Sequence, residues 1–170
     1  MSPATVVIET ALGAIEAEID TVHAPITAAN FLRYVDRGWY SGGQFHRTVK
    51  ADNQPNNAVK IEVIQAGLGP GTPSFTAIPL ERTSVTGLSH KDGTLSMARD
   101  APDTAADEFF ICIGDRVSLD FGGARNPDGQ GFAAFGRVVK GMDVARKIQA
   151  APAEEQKLTP PIRILGISRR

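Results

Sequence analysis

The stretch Gln44-Phe45-His46-Arg47-Thr48-Val49 has the aromatic and β-branched residues of a β-strand, with an arginine inside it. Strand interiors favour branched and aromatic residues, and a guanidinium keeps its charge when it is buried. Arg47 therefore needs either an exposed strand edge, or a carboxylate partner, or a chemical role. On spacing alone the structural explanations are the more common ones. Because successive strand side chains point to opposite faces, we expect His46 and Arg47 not to share a site.

The size and charge of the chain narrow the classes of function. It has 170 residues, 18 basic and 19 acidic, and a formal net charge of −1. This length fits one domain with a substantial core, spanning residues 1–170. The balanced charge predicts no nucleic-acid partner, and no apolar run approaches the roughly 20 residues that span a bilayer. We expect a monomer that is cytoplasmic by default, or periplasmic or secreted if a signal peptide has been omitted.

Short apolar runs separated by glycine and proline predict a strand-rich fold. A helix is predicted to begin at Pro25 and to end at Gly38, and a second one covers 141–149. Many strands with two helices favour an antiparallel barrel or sandwich, since parallel winding needs more crossover helices. The predicted strands are 5–10, 13–19, 44–49, 61–65, 94–99, 108–113, 132–139 and 161–167.

Other chemistry-bearing residues have simpler explanations. Cys112 lies in an apolar run and is predicted to be a buried, inert thiol. His23 and His90 lack metal-ligand spacing, and the glycines at 67, 69 and 71 lack the helix of a phosphate-binding loop. A loop of solvated carboxylates is the more common reading of the acidic residues Asp100, Asp103, Asp107 and Glu108. In the strand that follows, alternation places Glu108, Phe110 and Cys112 on one face, opposite Phe109, Ile111 and Ile113.

Five segments are informative because of their order along the chain. They are Phe45-His46-Arg47, Val63-Ile64-Gln65, Gly93-Thr94-Leu95-Ser96-Met97-Ala98, Phe109-Phe110-Ile111 and Phe135-Gly136-Arg137-Val138. This series resembles the cyclophilins, the cyclosporin-binding family of peptidyl-prolyl cis–trans isomerases, over about residues 6–167. The resemblance implies a mainly β fold, a closed eight-stranded antiparallel β-barrel capped by two α-helices.

The resemblance also implies a site and its substrates. Arg47 would be the catalytic residue. The substrate would be the X-Pro bond of proline-containing peptides and unfolded proteins, and the reaction would need no metal or cofactor. Arg99 stands where the family often has asparagine, but a contact through its backbone survives that change. The implied substrate-binding residues are Val63, Phe110, Leu119 and Phe132 around the proline pocket, and Gln65, Ala98, Arg99 and Glu108 around the peptide.

At several positions near the implied site the sequence departs from the usual pattern of the family. The loop over residues 48–60 is longer than usual, and Glu62 falls where a pocket phenylalanine is expected. Glu108 replaces a usual glutamine and could pair with Arg47 or Arg99. These changes keep an alternative open, a catalytically weak proline-peptide binding module on the same fold.

Two further departures concern the outer wall of the pocket. Ser118 stands near the position of the tryptophan that relatives often carry for cyclosporin, so cyclosporin binding is expected to be weak. Phe132 stands about where many relatives have histidine. It could replace part of the apolar pocket wall that is lost if Glu62 stands in place of the usual phenylalanine.

Overall fold

Antiparallel pairing closes the strands into a barrel in the computed structural model, which describes residues 3–170. The strands follow one another around the barrel in the order β1-β2-β7-β5-β6-β4-β3-β9, and β9 pairs back onto β1. The remaining strand, β8, has two residues and pairs only with the start of β9. The strands are β1 (Ala4–Thr10), β2 (Gly13–Ile19), β3 (Gln44–Val49), β4 (Val63–Gly67), β5 (Thr94–Met97), β6 (Phe109–Cys112), β7 (Ala134–Lys140), β8 (Ala153–Glu154) and β9 (Lys157–Arg169).

The helices differ in number from the prediction. The predicted ones are α1 (Pro25–Asp36) and α3 (Met142–Gln149), and a further helix, α2 (Thr83–Thr86), lies in the long connection before β5. Four residues make one helical turn, which is too short to leave an apolar periodicity in the sequence. A 3-10 turn covers Val117–Leu119. In the part of the chain that the structure describes, no helix has the length and apolar character needed to cross a membrane.

The N-terminus of α1 is capped from a distance. Ala24 precedes the helix and offers no side-chain acceptor. The carboxylate of Glu81 instead accepts hydrogen bonds from the backbone amides of Ile26 at 3.2 Å and Thr27 at 2.6 Å. A negative charge at this end also complements the helix dipole. The long connection before β5 is thereby tied to the helix.

The alternation of β6 separates two apolar clusters. Phe109 and Ile111 point into the barrel and belong to its main core. Phe110 and Cys112 point outward and join a smaller cluster on the outer face, as the sequence alternation predicts. The members of this outer cluster are Val49, Ile61, Val63, Phe110, Cys112 and Leu119, with Ala98 and Phe132 packed against them.

The observed strand boundaries differ most from the predicted ones where proline or a loop obscures the sequence pattern. The predicted strand 61–65 begins at Val63, because Ile61 belongs to the end of the preceding loop. The last strand begins at Lys157, four residues before the predicted start at Pro161. Consecutive prolines at 160 and 161 look like a strand end, since proline lacks a ladder donor.

Candidate functional site

A cavity of about 420 Å³ lies over the outer apolar cluster. All of the predicted site residues line it, although they come from widely separated segments. Their roles stay predictions, but the structure brings the whole set to one place. The predicted residues at the cavity are Arg47, Val63, Gln65, Ala98, Arg99, Glu108, Phe110, Leu119 and Phe132, and they are joined by Ile61, Asp100, Thr104, Ala106, Asp107 and Arg125.

The floor of the cavity is apolar and closely packed. Phe110 and Leu119 are only 4% and 1% exposed. Phe132 stands edge-on to Phe110, with ring centroids 5.5 Å apart and the planes at 90°. An aromatic pair in this geometry adds to the burial energy of each ring. The floor is therefore a closely packed apolar surface.

The expectation that Glu62 would stand at the pocket is wrong. Its carboxylate accepts from Arg116 at 2.7 Å and from the side-chain amide of Gln149 at 3.0 Å, away from the cavity. Its neighbours Ile61 and Val63 line the cavity instead. Ile61 thus supplies the apolar wall that the glutamate at position 62 does not provide.

The expectation that His46 and Arg47 lie on opposite faces is also wrong, and a β-bulge is the reason. In the pairing of β3 with β4, Phe45 lies opposite Ala66 and Arg47 lies opposite Gln65, so His46 is the extra residue. Strict alternation would send Arg47 into the barrel with Phe45. Because a bulge resets the alternation, Arg47 points outward on the same side as His46.

Strand register then builds a row of side chains across the barrel wall. Arg47 lies opposite Gln65, Gln65 opposite Phe110, and Phe110 opposite Ser96. Directly opposite residues of antiparallel strands share a face. The row therefore runs from the guanidinium to the apolar floor without help from any loop.

A chain of hydrogen bonds connects the polar end of this row. Arg47 Nη1 donates to Gln65 Oε1 at 2.8 Å, and Gln65 Nε2 donates to Glu108 Oε1 at 2.6 Å. His46 Nε2 donates to the same carboxylate oxygen at 2.9 Å. Glu108 thus contacts His46 and Gln65, and forms a direct ion pair with neither Arg47 nor Arg99 in the described chain.

The surroundings keep both ends of this chain charged. Burial alone would raise the pKa of the Glu108 carboxyl, but the hydrogen bonds from His46 and Gln65 and the nearby Arg47 lower it below its ordinary value. Burial lowers the pKa of Arg47, and the charge of Glu108 opposes that effect. An arginine nevertheless stays protonated near neutral pH.

Arg47 is held on two sides by neutral amides. Besides Gln65, its Nε donates to Gln156 Oε1 at 2.9 Å. Gln156 lies in the connection between β8 and β9, and nothing in the sequence around it marked it as part of a site. Within residues 3–170, Arg47 Nη2 forms no hydrogen bond, so one face of the fork is available to a bound molecule.

Arg99 presents its backbone to the cavity, while its side chain is committed elsewhere. The guanidinium donates to the Gly131 carbonyl, pairs with Asp128 at 3.1 Å and lies 5.0 Å from the centre of the Phe132 ring. In the described chain no hydrogen bond uses the Arg99 amide or carbonyl. The neighbouring amide of Ala98 is occupied, since it donates to the Glu108 carbonyl at 2.9 Å.

Comparison with known proteins agrees with this geometry. The model of the family described as "Cyclophilin type peptidyl-prolyl cis-trans isomerase/CLD" matches residues 5–169. The chain belongs to this family. The predicted relationship, barrel fold and isomerase class are confirmed.

Relatives and solved cyclophilins match over most of the chain. A peptidyl-prolyl cis-trans isomerase of Acinetobacter baylyi is 34% identical over 165 residues, which cover 94% of this chain and 81% of that protein. Peptidyl-prolyl cis-trans isomerase B of Escherichia coli is 38% identical over 128 residues, covering 74% and 72%. The crystal structure of a cyclophilin-type isomerase from Cryptosporidium parvum has a TM-score of 0.80 at 22% identity and covers 99% of this chain and 98% of its own, which supports the fold.

The long loop of this cyclophilin is ordered around one buried glutamine. Gln54 is 2% exposed. Its Nε2 donates to the carbonyls of Lys50 and Ile61, both at 2.7 Å, and its Oε1 accepts from the Ile61 amide at 3.1 Å. The same oxygen accepts from Arg125 Nη1 at 2.6 Å. The loop therefore fixes Ile61 and Arg125 at the edge of the cavity.

His90, which looked isolated in the sequence, has two partners beneath the cavity floor. His90 Nδ1 donates to Asp120 Oδ1 at 2.6 Å, and Ser96 Oγ donates to His90 Nε2 at 2.8 Å. This order resembles the triad of a serine hydrolase. His90 and Ser96 are both 0% exposed, however, so no substrate reaches the hydroxyl. The imidazole is stacked on Phe110 at 6.1 Å between centroids and supports the floor.

The remaining candidates of the sequence have no role at the site. Cys112 is buried in the outer cluster, and this burial raises the pKa of its thiol far above the ordinary value. His23 pairs with Asp20 at the surface. Among residues 3–170, no group of three or more histidine, cysteine or acidic side chains is arranged to hold a metal ion.

Proposed function

We propose that the cavity binds a peptide segment around an X-Pro bond and that Arg47 catalyses rotation about this bond. One observation carries the assignment of roles. A guanidinium, held at Nε and Nη1 by neutral amides, keeps Nη2 available beside an apolar floor. A proline ring needs such a floor, and the adjoining amide nitrogen needs such a donor.

The proposed mechanism uses the change in the amide during rotation. The barrier of about 18–20 kcal/mol comes from the loss of amide resonance. In the twisted state the proline nitrogen becomes pyramidal and regains a lone pair that a donor can engage. A donor aimed at this nitrogen stabilises the twisted state more than the planar one, and only this difference accelerates the reaction. Arg47 suits the role because its charge is permanent and its geometry rigid.

The remaining cavity residues would position the peptide. Phe110, Leu119 and Val63 would enclose the proline ring, and Phe132 would close one side. The backbone of Arg99 would pair with the residues that precede proline. The proposed substrates are exposed X-Pro bonds in peptides and unfolded proteins, for which uncatalysed rotation takes on the order of 10–100 s. A solved cyclophilin of similar fold, TM-score 0.78 at 23% identity, was crystallised in the presence of the dipeptide Ala-Pro.

Two finer proposals accompany this function. We propose that the protein acts as a monomer, because the cavity is built from a single chain. We also propose that it binds cyclosporin weakly, because Ser118 offers no large apolar surface beside Leu119.

A protease-free isomerisation assay tests the function. Proton NMR exchange spectroscopy on a blocked Ala-Ala-Pro-Phe peptide measures the rate of conformational exchange between the cis and trans forms, with and without the protein. We expect the exchange rate to rise in proportion to the protein concentration. Peptide binding without any change in rate would select the proline-peptide binding module instead.

A further inference from the structure

A second guanidinium stands at the cavity near Arg47. Arg125 lines the cavity and is half-buried. Its Nη1 donates to Gln54 Oε1 at 2.6 Å and to the Val59 carbonyl at 2.7 Å. Its Nε and Nη2 form no hydrogen bond within residues 3–170. The anchoring thus uses one nitrogen and leaves two with protons to donate.

Two of the three arginines at the cavity, Arg47 and Arg125, have no direct carboxylate partner in the described chain. In the described chain no carboxylate lies within 4.0 Å of the Arg47 or Arg125 guanidinium, whereas Arg99 and Arg116 each have an acidic partner. Burial lowers the pKa of Arg125, and the positive charge of Arg47 lowers it further. Two half-buried cations whose direct acceptors are all neutral concentrate positive charge in this part of the cavity. A bound carboxylate would offset this repulsion and supply the missing acceptor.

The charges of the cavity are sorted between its two ends. The acidic side chains of Asp100, Asp107 and Glu108 lie at the end where the Ala98 amide joins the Glu108 carbonyl. Arg125 lies at the other end, where the long loop positions Ile61. A peptide lying across the cavity would therefore meet negative charge at one end and positive charge at the other.

The proposed function gives this polarity a direction. If the residues before proline pair with the Arg99 backbone, they lie at the acidic end. With the proline ring on Phe110, the chain then leaves past Arg47 toward Ile61 and Arg125. The residue that follows proline is the one that comes within reach of the second guanidinium.

We propose that Arg125 is a specificity-determining residue that favours a glutamate or aspartate directly after the proline. This inference rests on the proposed function, since it assigns a sequence preference to the same reaction. The chemistry is a charge-assisted hydrogen bond between a substrate carboxylate and the unused nitrogens of Arg125. Its effect adds to peptide binding and does not require Arg125 to contact the rotating bond.

Blocked peptides of the form Ala-Ala-Pro-X-amide test the preference, with X being glutamate, glutamine or lysine. Glutamate and glutamine have nearly the same shape, and the amide end removes the terminal carboxylate. Exchange spectroscopy at peptide concentrations below KM gives kcat/KM for each. We expect the glutamate peptide to exceed the glutamine peptide by about two- to fivefold, the range of a partly exposed charge pair. The lysine peptide should be the slowest.

Variants assign the preference to one side chain. In Arg125→Gln the ratio of glutamate to glutamine rates should fall toward one, and in Arg125→Lys an intermediate ratio should remain. Arg137→Gln is the matched control, because Arg137 is a surface residue paired with Glu18, away from this cavity; its ratio should stay at the wild-type value. In 1 M NaCl, where the Debye length is about 3 Å, the wild-type ratio should also decrease.

The outcomes separate this inference from the proposed function. If no peptide is accelerated, the proposed function fails. If all three are accelerated equally, or if Arg125→Gln keeps the wild-type ratio, the function stands and the role of Arg125 is refuted. Arg125→Gln could fold poorly because Gln54 loses a donor. The role of Arg125 is then tested by the ratio of glutamate to glutamine rates in the wild type, by the salt dependence of this ratio, and by the ratio in Arg125→Lys.

Discussion

Gln65 donates its side-chain amide to Glu108 over 2.6 Å, and this contact determines how Gln65 meets Arg47. A carboxylate only accepts hydrogen bonds, so the amide nitrogen of Gln65 must face Glu108. Its carbonyl oxygen is then left to accept from Arg47 at 2.8 Å. A glutamine at position 108 could donate as well as accept, and would allow either orientation. Glu108 therefore supports Arg47 indirectly, by fixing the orientation of one amide.

Exchanging the two side-chain types tests this relationship. Gln65→Glu places two partly exposed carboxylates in contact, and we expect the free energy of unfolding to fall by up to about 1 kcal/mol, the range of a partly exposed charge pair. In the double variant Gln65→Glu/Glu108→Gln, the amide at 108 can donate to the carboxylate at 65. Most of the loss should then be recovered. Urea unfolding of the wild type, both single variants and the double variant gives the coupling energy.

The double variant should lose less stability than the two single variants would lose if their effects were additive. The decrease in the free energy of unfolding for Gln65→Glu/Glu108→Gln should therefore be smaller than the sum of the decreases for Gln65→Glu and Glu108→Gln. Simple additivity would show that the two side chains do not interact energetically, and the proposed support of Arg47 would have to be abandoned.

The depressed pKa of Glu108 predicts an acid-dependent loss of stability. Its folded-state pKa lies below the ordinary value of 4.5. A group of this kind contributes stability above its ordinary pKa and loses that contribution as the pH falls through the folded value. Between about pH 5 and 3 the wild type should therefore lose more stability than Glu108→Gln, which has no carboxyl at this position. Thermal unfolding across this range measures the difference, and parallel curves would contradict the prediction.

The sequence predicted the barrel and the members of the cavity better than it predicted their contacts. Phe110 was assigned to the correct face of its strand because β6 alternates regularly. The expectation that His46 and Arg47 lie on opposite faces is wrong, because a bulge depends on strand pairing and leaves no mark in the local sequence pattern. The sequence does not indicate Gln156 beside Arg47 or Arg125 at the cavity, because both contacts depend on the folding of segments far apart in the chain. The pairing of β3 with β9 places Gln156 beside Arg47, and the folded loop around Gln54 holds Arg125.

Removing the guanidinium of Arg47 should affect the rate more than binding. In Arg47→Ala we expect kcat/KM to fall by about 10²-fold, the usual loss when one donor to a transition state is removed. Arg47→Lys should recover only part of the rate, because an ammonium cannot engage Gln65, Gln156 and the substrate with one rigid fork. Exchange spectroscopy gives the rates, and titration with the same peptide gives Kd. Wild-type rates in Arg47→Ala would remove Arg47 from the mechanism.

Cyclosporin affinity should respond to a single substitution beside the cavity residue Leu119. Ser118 is half-buried in the 3-10 turn that also carries Leu119. Ser118→Trp adds an aromatic surface there, and burying about 60 Å² of it would be worth roughly 1.5 kcal/mol. We expect the affinity for cyclosporin to rise about tenfold on this basis, as measured by calorimetry. Tight binding by the wild type would contradict the prediction, and Ser118→Ala is the control for the loss of the hydroxyl alone.

The buried pair of Ser96 and His90 should contribute to the stability of the cavity floor. In Ser96→Ala, Nε2 of His90 loses its hydrogen-bond donor in a place where neither side chain is exposed. Leaving one buried polar atom unsatisfied costs about 1–3 kcal/mol, which urea unfolding can measure. Asp120→Asn should cost less, since an amide oxygen can still accept from His90 Nδ1. Because the imidazole is stacked on Phe110, we also expect KM for proline peptides to rise in Ser96→Ala. If stability and KM both stay at wild-type values, the hydrogen bonds under the floor do not support Phe110.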